Sequence, residues 1–337
     1  GLDAQQIAYA QYLIGESDID DLWDFGQYGA GASKDCYVLI QNTEGEVGAL
    51  AKLYMAANMG VTTSCWGDAP YSEAFQGDAG ILNPTYDEQE SIYSSIQSLL
   101  SESISDGVAS GIGEFYGAGS GGADWVKTAH ALKARYYLHL VKRDGAAHTK
   151  ALGVLSSAYA SNAEESMFTS FGSQGANDAN PYGQFGAQRP NTLVIWPGFS
   201  EWMEGDPRKP LYMANDGTND IYYTAPDGLF WSSYTSPLPI ISYTEQLFLF
   251  AEALLRNGDA GLAENALADA ITANMEQMGI ASADYAAYVA DRGSFGGLSS
   301  DAERLQRIIE EKYVALYAQG MVEIWTDYRR TGYPLSL

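Results

Sequence analysis

Apolar residues recur at helical spacing in two blocks of this chain, and residues 161–239 between the blocks do not keep that spacing. A helix with one apolar stripe is stable in water only when the stripe is buried, so two such blocks require helices packed on helices. In the first block Val47, Leu50, Ala51, Tyr54, Met55 and Met59 fall on one face. They predict a helix that ends near Gly67, since Pro70 prevents its continuation. A second helix is expected after Pro84, where Asp87 and Glu88 suit the positive end of the helix dipole, with Ile92, Ile96, Leu99, Leu100 and Ile104 as its stripe. Further helices are expected over about 124–143 and 148–159. In the second block, Tyr243–Arg256, a Gly258-Asp259 turn and residues 262–278 read as a helix hairpin. Ala251, Ala253, Ala263, Ala266 and Ala270 give that hairpin a small-residue seam along which two helices can approach closely. Residues 301–328 form the last helical stretch, interrupted at Gly320.

The expected fold class is therefore mostly α: packed tetratricopeptide-like helix pairs, with a loop-rich excursion carrying short strands. The hairpin is similar to a tetratricopeptide repeat, although the tryptophan and Leu-Gly positions of that repeat are not met. A single domain over 1–337 is expected, with a helical scaffold at 1–160 and 240–334 and the excursion at 161–239. The excursion is rich in Gly, Asn, Pro and Ser, with short strands expected at 192–195 and 221–224. A long irregular stretch inside a compact domain is usually functional or disordered, and the aromatic content of this one argues against disorder.

The formal charge is −25, from 43 acidic residues against 18 basic ones, which repels nucleic-acid backbones and anionic headgroups. No apolar run reaches the roughly 18 to 20 residues of a membrane-spanning helix. Cys36 and Cys65 fit neither a CxxC nor a zinc pattern, and sequence alone leaves open whether they pair. His130, His139 and His148 are nine residues apart, which turns successive rings to opposite helix faces. No metal and no cofactor are expected. No Gly-x-Ser-x-Gly elbow occurs either.

The enzyme-like signals are acidic pairs: Glu201 and Glu204 around Trp202, and Asp216 and Asp220 around Gly217. A glycoside hydrolase needs two carboxylates facing each other across a cleft. Glu201 and Glu204, three apart on a helix, would share one face instead. The loop holding Asp216 and Asp220 lacks EF-hand spacing and reads as a polar turn.

Aromatic residues are the more informative class. Sugars present flat C–H faces ringed by hydroxyls, so a site for them combines exposed rings with hydrogen-bonding side chains. The excursion supplies both, and the candidate ligand-binding residues are Trp196, Trp202, Tyr222, Trp231, Tyr234 and Asn191. Trp125 and Trp325 lie on helical stripes and are expected in the core, and Trp66 is expected to be structural.

Seven segments in chain order resemble the SusD/RagB-like family. They are Trp66-Gly67-Asp68-Ala69-Pro70-Tyr71, Asn83-Pro84 with Tyr86 and its successors, and the Trp125 to Tyr137 helix with Lys127, Leu132, Lys133 and Arg135. Then follow Asn180-Pro181-Tyr182, Asp206-Pro207-Arg208, the helix from Tyr243-Thr244-Glu245 to Ala251-Glu252-Ala253, and Glu311-Lys312-Tyr313 through Arg329-Arg330-Thr331-Gly332-Tyr333-Pro334. His130 and Ala131 depart from the family's Asn-Ser at those positions. Family members begin at a lipidated cysteine and continue past the Arg-Arg-Thr-Gly segment. A trimmed or compact member, with its anchor in the full-length precursor, is the expectation.

The resemblance implies a binding protein on the outer face of the outer membrane, not an enzyme. It would cap a SusC-like TonB-dependent transporter, capture an oligomeric nutrient (a glycan, with a peptide as the other option) and hand it to that channel. A glycoside hydrolase and a helical-repeat scaffold that binds only protein are the alternatives. Arg329 and Arg330 are expected to be structural, closing the last helix ahead of Gly332 and Pro334.

Overall fold

The computed structural model describes residues 8, 11, 13–18, 20–28, 31–108, 116–117, 124–172, 178–189, 194–215, 217–222 and 231–335. The chain divides into two compact units. One comprises Gly15–Glu114 and Gly121–Tyr159, and the other Gly1–Ile14, Phe115–Ser120 and Ala160–Leu337.

The N-terminal unit is a stack of helices: α1 (Ala32–Asn42), α2 (Gly45–Trp66), α3 (Gln89–Ser105), α4 (Trp125–His139) and α5 (Ala147–Leu155). Each packs on the next in sequence. Of the expected stripe on α2, Ala51, Met55 and Met59 are buried while Val47 is exposed, and Leu53 joins the buried face; on α3 Ile92, Ile96, Leu99 and Leu100 are buried as expected, and on α4 so is Trp125. Helix α1 was not expected, because its apolar residues form no inward stripe: Cys36 is buried while Val38 and Leu39 are exposed. Burial raises the Cys36 thiol to about 11, and both cysteines are thiols rather than a disulfide.

Two close fits fix this stack. A Cβ at Gly60 would lie 2.1 Å from the Tyr136 hydroxyl, so only glycine lets α2 meet the ring carried by α4. The turn after α2 is latched to the start of α3: Asp87 accepts from the Tyr71 and Ser72 amides at 2.9 and 2.8 Å, and Asp68 accepts from the Gln89 amide at 2.9 Å. Gly67 makes that turn at φ +81°, in the left-handed region that L side chains avoid. The Gly-Asp-Ala-Pro-Tyr segment is thus a helix-end lock.

The C-terminal unit contains the helices α6 (Pro181–Gln188), α7 (Pro197–Trp202), α8 (Lys209–Tyr212), α9 (Tyr243–Arg256), α10 (Ala260–Gln277), α11 (Ser282–Arg292), α12 (Asp301–Ala315) and α13 (Met321–Thr331). Short strands β1 (Tyr116–Gly117), β2 (Met167–Phe168) and β5 (Leu238–Pro239) form an antiparallel sheet in the order β1-β2-β5, and β3 (Met213–Asn215) pairs with β4 (Asp220–Tyr222). The strand expected at 221–224 is β4, although 223 and 224 lie outside the described residues. Of the strand expected at 192–195, only Val194 and Ile195 are described. The alanine seam is real: Ala251, Ala253, Ala263, Ala266 and Ala270 are all buried where α9 meets α10. Ser242 caps α9 by accepting from the Glu245 amide, and Ser300 with Glu303 closes a capping box on α12.

Buried ion networks tie these helices together. Arg208 is fully buried and donates to Asp206 at 2.7 Å, Glu311 at 3.0 Å, the Asn274 side-chain oxygen at 3.1 Å and the Tyr288 hydroxyl at 2.9 Å. Arg330 bridges Glu252 of α9 and Asp327, whose other oxygen pairs with Lys312 of α12 at 2.8 Å. A charge taken out of water is tolerated only when paired, and each of these is. The mostly α reading holds, and several of the family-like segments prove to be the parts of these networks.

Trp325 is a correction. It is 44% exposed rather than core, because the inward stripe of α13 is Glu323, Ile324, Asp327 and Arg330. A largely charged stripe replaces the apolar one, and the indole is left outside with the Arg329 guanidinium 3.8 Å from its ring centroid.

Candidate functional site

The excursion places an aromatic pocket within the C-terminal unit. Asn180 starts the construction: its side chain caps the Tyr182 amide at 2.9 Å and donates to the Ser236 carbonyl at 2.7 Å, with Pro181 preset as the first helical residue. Gly183 follows because a Cβ there would meet the Ser233 backbone at 2.7 Å. That close approach holds Tyr182 against the buried cluster that includes Trp231.

Helix α7 packs against the rings that line the pocket. Trp196 caps it with Pro197 as the first helical residue, and the Trp196 ring lies over Gly198, where a Cβ would be 2.3 Å from it. Phe199 stacks on Tyr317 at 5.5 Å, Tyr212 stacks on the same ring at 4.5 Å, and Trp202 stacks on Tyr313 at 5.4 Å. Tyr313 near the end of α12 and Tyr317 in the turn just after it thereby present their rings to α7 and α8. Ile195 donates to the Asp220 carbonyl at 2.8 Å, which ties the approach to α7 onto β4.

The pocket measures about 260 Å³ and is lined by Tyr182, Ile195, Tyr313, Tyr317, Met321 and Ile324, together with Ala318. The lining is apolar except for tyrosine hydroxyls. Burial pushes the Tyr182 and Tyr313 hydroxyls up from their usual range, so both stay protonated donors at neutral pH. Ala318 sits in the left-handed region at φ +62°, a strained backbone position at the pocket wall.

The sequence-derived candidates separate on this framework. Trp196 is 57% exposed and lies next to Ile195, which lines the pocket. Trp202 is half-buried against Tyr313. Trp231 and Tyr234 are only 4% and 8% exposed, so their rings belong to the packing beneath α6 and offer no open face. The backbone of Tyr222 pairs in β4, but its side chain, like all of Asn191, lies outside the described residues. Tyr182, Tyr313 and Tyr317 were missed as site residues. Tyr182 and Tyr313 stood in family-like segments, and the four-residue spacing of Tyr313 and Tyr317 was the available signal.

The acidic pairs show other roles. Glu201 and Glu204 are exposed on one turn, and Glu204 pairs with Lys209 at 2.6 Å. Asp220 accepts from the Ser200 hydroxyl and, at 2.9 Å, from the Asn215 amide, and these bonds hold its carboxyl below the usual range. Asp216 lies outside the described residues. Among the described residues no three His, Cys, Asp or Glu side chains gather as a metal site, and no helix is long and apolar enough to cross a membrane.

Solved structures with this fold include a chitin-binding SusD homologue from Flavobacterium johnsoniae, 22% identical over 91% of this chain and 73% of its own, at a TM-score of 0.73. A SusD homologue from Bacteroides ovatus is 22% identical over 97% of this chain and 76% of its own, at 0.74. Another, from Bacteroides fragilis, is 21% identical over 94% and 80%, at 0.73. No match was found among curated proteins. Residues 32–336 match the SusD-like family described as "Starch-binding associating with outer membrane". The chain belongs to that family.

Proposed function

We propose that this protein captures an oligomeric nutrient, a glycan, at the cell surface and delivers it to a SusC-like TonB-dependent transporter in the outer membrane. A lipid anchor on the full-length precursor would hold it there. The observation that carries this reading is the pocket walled by Tyr182, Tyr313 and Tyr317, with the exposed Trp196 next in sequence to Ile195 of its lining. Aromatic faces stack on the C–H faces of sugar rings, and tyrosine hydroxyls donate to ring substituents. Trp196 carries the stacking contact in this reading, and Trp202, Tyr222 and Asn191 flank it in sequence. Trp231 and Tyr234 support the wall from beneath. The chitin-binding relative and the family description both favour a glycan over the peptide alternative.

The reading is of binding without covalent change, as the family description favours. Calorimetric titration with chitin and starch oligosaccharides tests the reading, with cationic peptides as the comparison. Trp196→Ala should weaken glycan binding about two- to tenfold, the loss of one stacking contact. No new reducing ends should form on prolonged incubation. Binding confined to peptides, or steady oligosaccharide cleavage, would overturn it.

A further inference from the structure

We propose that the N-terminal unit carries a second ligand site, a polar pocket beside α3, α4 and α5 that takes a neutral, polyhydroxylated molecule of sugar chemistry. The pocket measures about 610 Å³, within the span of small-ligand sites. Glu90, Ser94 and Gln97 line it from one face of α3, and Tyr137 lines it from α4. Arg143, Asp144 and Lys150 complete the rim after α4 and on α5.

The unsatisfied groups are what mark it as a site. The Gln97 amide nitrogen donates to the Lys133 carbonyl at 3.1 Å, which fixes the orientation of the amide. Its oxygen is buried and has no partner, and a buried acceptor left unpaired is destabilising unless something fills it. Among the described residues the exposed Glu90 and Arg143 side chains and the half-buried Tyr137 hydroxyl have no hydrogen-bond partner within the protein, which leaves them open to a ligand. An arginine without a carboxylate is unexpected in a chain with 43 acidic residues and 18 basic ones.

The balance of these groups selects the ligand. Asp144 and Lys150 already neutralise each other at 2.7 Å, and Glu90 offsets Arg143, so the pocket favours neither anion nor cation. It offers an acceptor at Glu90, donors at Arg143 and Tyr137, the Gln97 side chain on its wall, and a half-buried tyrosine ring whose face is shared with the Lys150 ammonium 6.0 Å from its centroid. A ligand that both donates and accepts around a flat apolar ring fits all of these, and a sugar hydroxyl does both.

The site is independent of the Trp196 pocket, and the test keeps the two apart. Isotope-labelled full-length protein is titrated with maltose, cellobiose and N,N′-diacetylchitobiose while the Gln97 side-chain amide resonance is followed. At least one disaccharide should shift that resonance, and Trp196→Ala should leave the shift unchanged. Gln97→Leu should weaken the interaction about tenfold, and so should Arg143→Ala, which removes an exposed side chain and leaves the fold intact. An unmoved Gln97 amide with all three sugars would overturn the proposal. So would binding of glucuronate or glucosamine in clear preference to glucose, since that would mean the pocket selects charge.

Discussion

Arg329 and Arg330 are sequence neighbours with different surroundings, and alanine substitutions should separate them. Arg330 is buried between Glu252 and Asp327, while Arg329 is exposed with its guanidinium over Trp325. Removing Arg330 leaves two buried carboxylates short of a cation. Glu252 retains Arg256 at 2.7 Å and Asp327 retains Lys312 at 2.8 Å, so neither is stranded completely. The cost therefore belongs near the low end of the usual range for breaking a buried pair, about 3 kcal/mol. Arg329→Ala loses an exposed cation–π contact, about 0.5 to 1 kcal/mol.

The same network sets an acid limit. Burial by itself would raise the Glu252 carboxyl, but Arg330 and then Arg256 outweigh it and lower the carboxyl from 4.5 to about 2. Because the folded value lies below the unfolded one, the unfolded chain takes up this proton first as pH falls. The stabilisation is complete above about pH 4.5 and is lost on the way down through pH 2, and it is on the order of 3 kcal/mol. Urea denaturation followed by circular dichroism, at pH 7 and at intervals down to pH 3, measures both effects. Arg330→Ala should lose stability at pH 7 and show a shallower acid dependence than the parent. Equal, small losses for the two alanine variants, or glycan binding abolished in Arg330→Ala at unchanged stability, would refute the reasoning.

Other substitutions test other parts. Glu165 is buried and its carboxyl is pushed up to about 8 by desolvation, so its folded value exceeds its unfolded one and the fold loses stability as pH rises from about 4.5 to 8; Glu165→Gln should gain on the parent across that window in parallel melts. Trp231→Ala should cost about 3 to 5 kcal/mol of stability, and a stable variant with lost affinity would mean that this ring faces ligand. Gly60→Ala should destabilise by about 1 to 3 kcal/mol through the clash with Tyr136, and the opposite sign, expected from helix propensity alone, would contradict that packing.

Much of the helical frame was legible because helix burial imposes a spacing on sequence. The stripe from Val47 to Met59 lies within α2, the second-block hairpin matches α9 and α10, and the break at Gly320 divides α12 from α13. Where the buried stripe is not apolar, that signal fails. Helix α13 turns Glu323, Asp327 and Arg330 inward, and only their partners on other helices make this possible. Periodicity read Trp325 as core for the same reason: it scores the residue and cannot see that a paired arginine occupies the inward face. The resemblance compensated in part, since Glu252 and Arg330 fall in two of the segments it singled out.

The site was harder to read because a tryptophan is equally able to fill a core and to meet a sugar. Loop-rich context put Trp196 and Trp231 in one class, yet the ring of Trp196 lies over Gly198 and stays exposed, while Trp231 joins the cluster under α6. What separates them is the backbone around each ring. Pro197 starts a helix directly after Trp196 and leaves the ring at its solvent end, whereas Trp231 is buried in the cluster with Phe199, Met203 and Tyr212. The pocket's rings come from α6, which carries Tyr182, and from α12 and the turn after it, which carry Tyr313 and Tyr317; the apolar spacing of α12 is that of any packed helix. Two tyrosines four residues apart across a helix end, followed by an alanine forced to positive φ, are the closest thing to a sequence mark for this wall. The positive φ is a property of the folded backbone, so the mark becomes readable only once the chain has been folded.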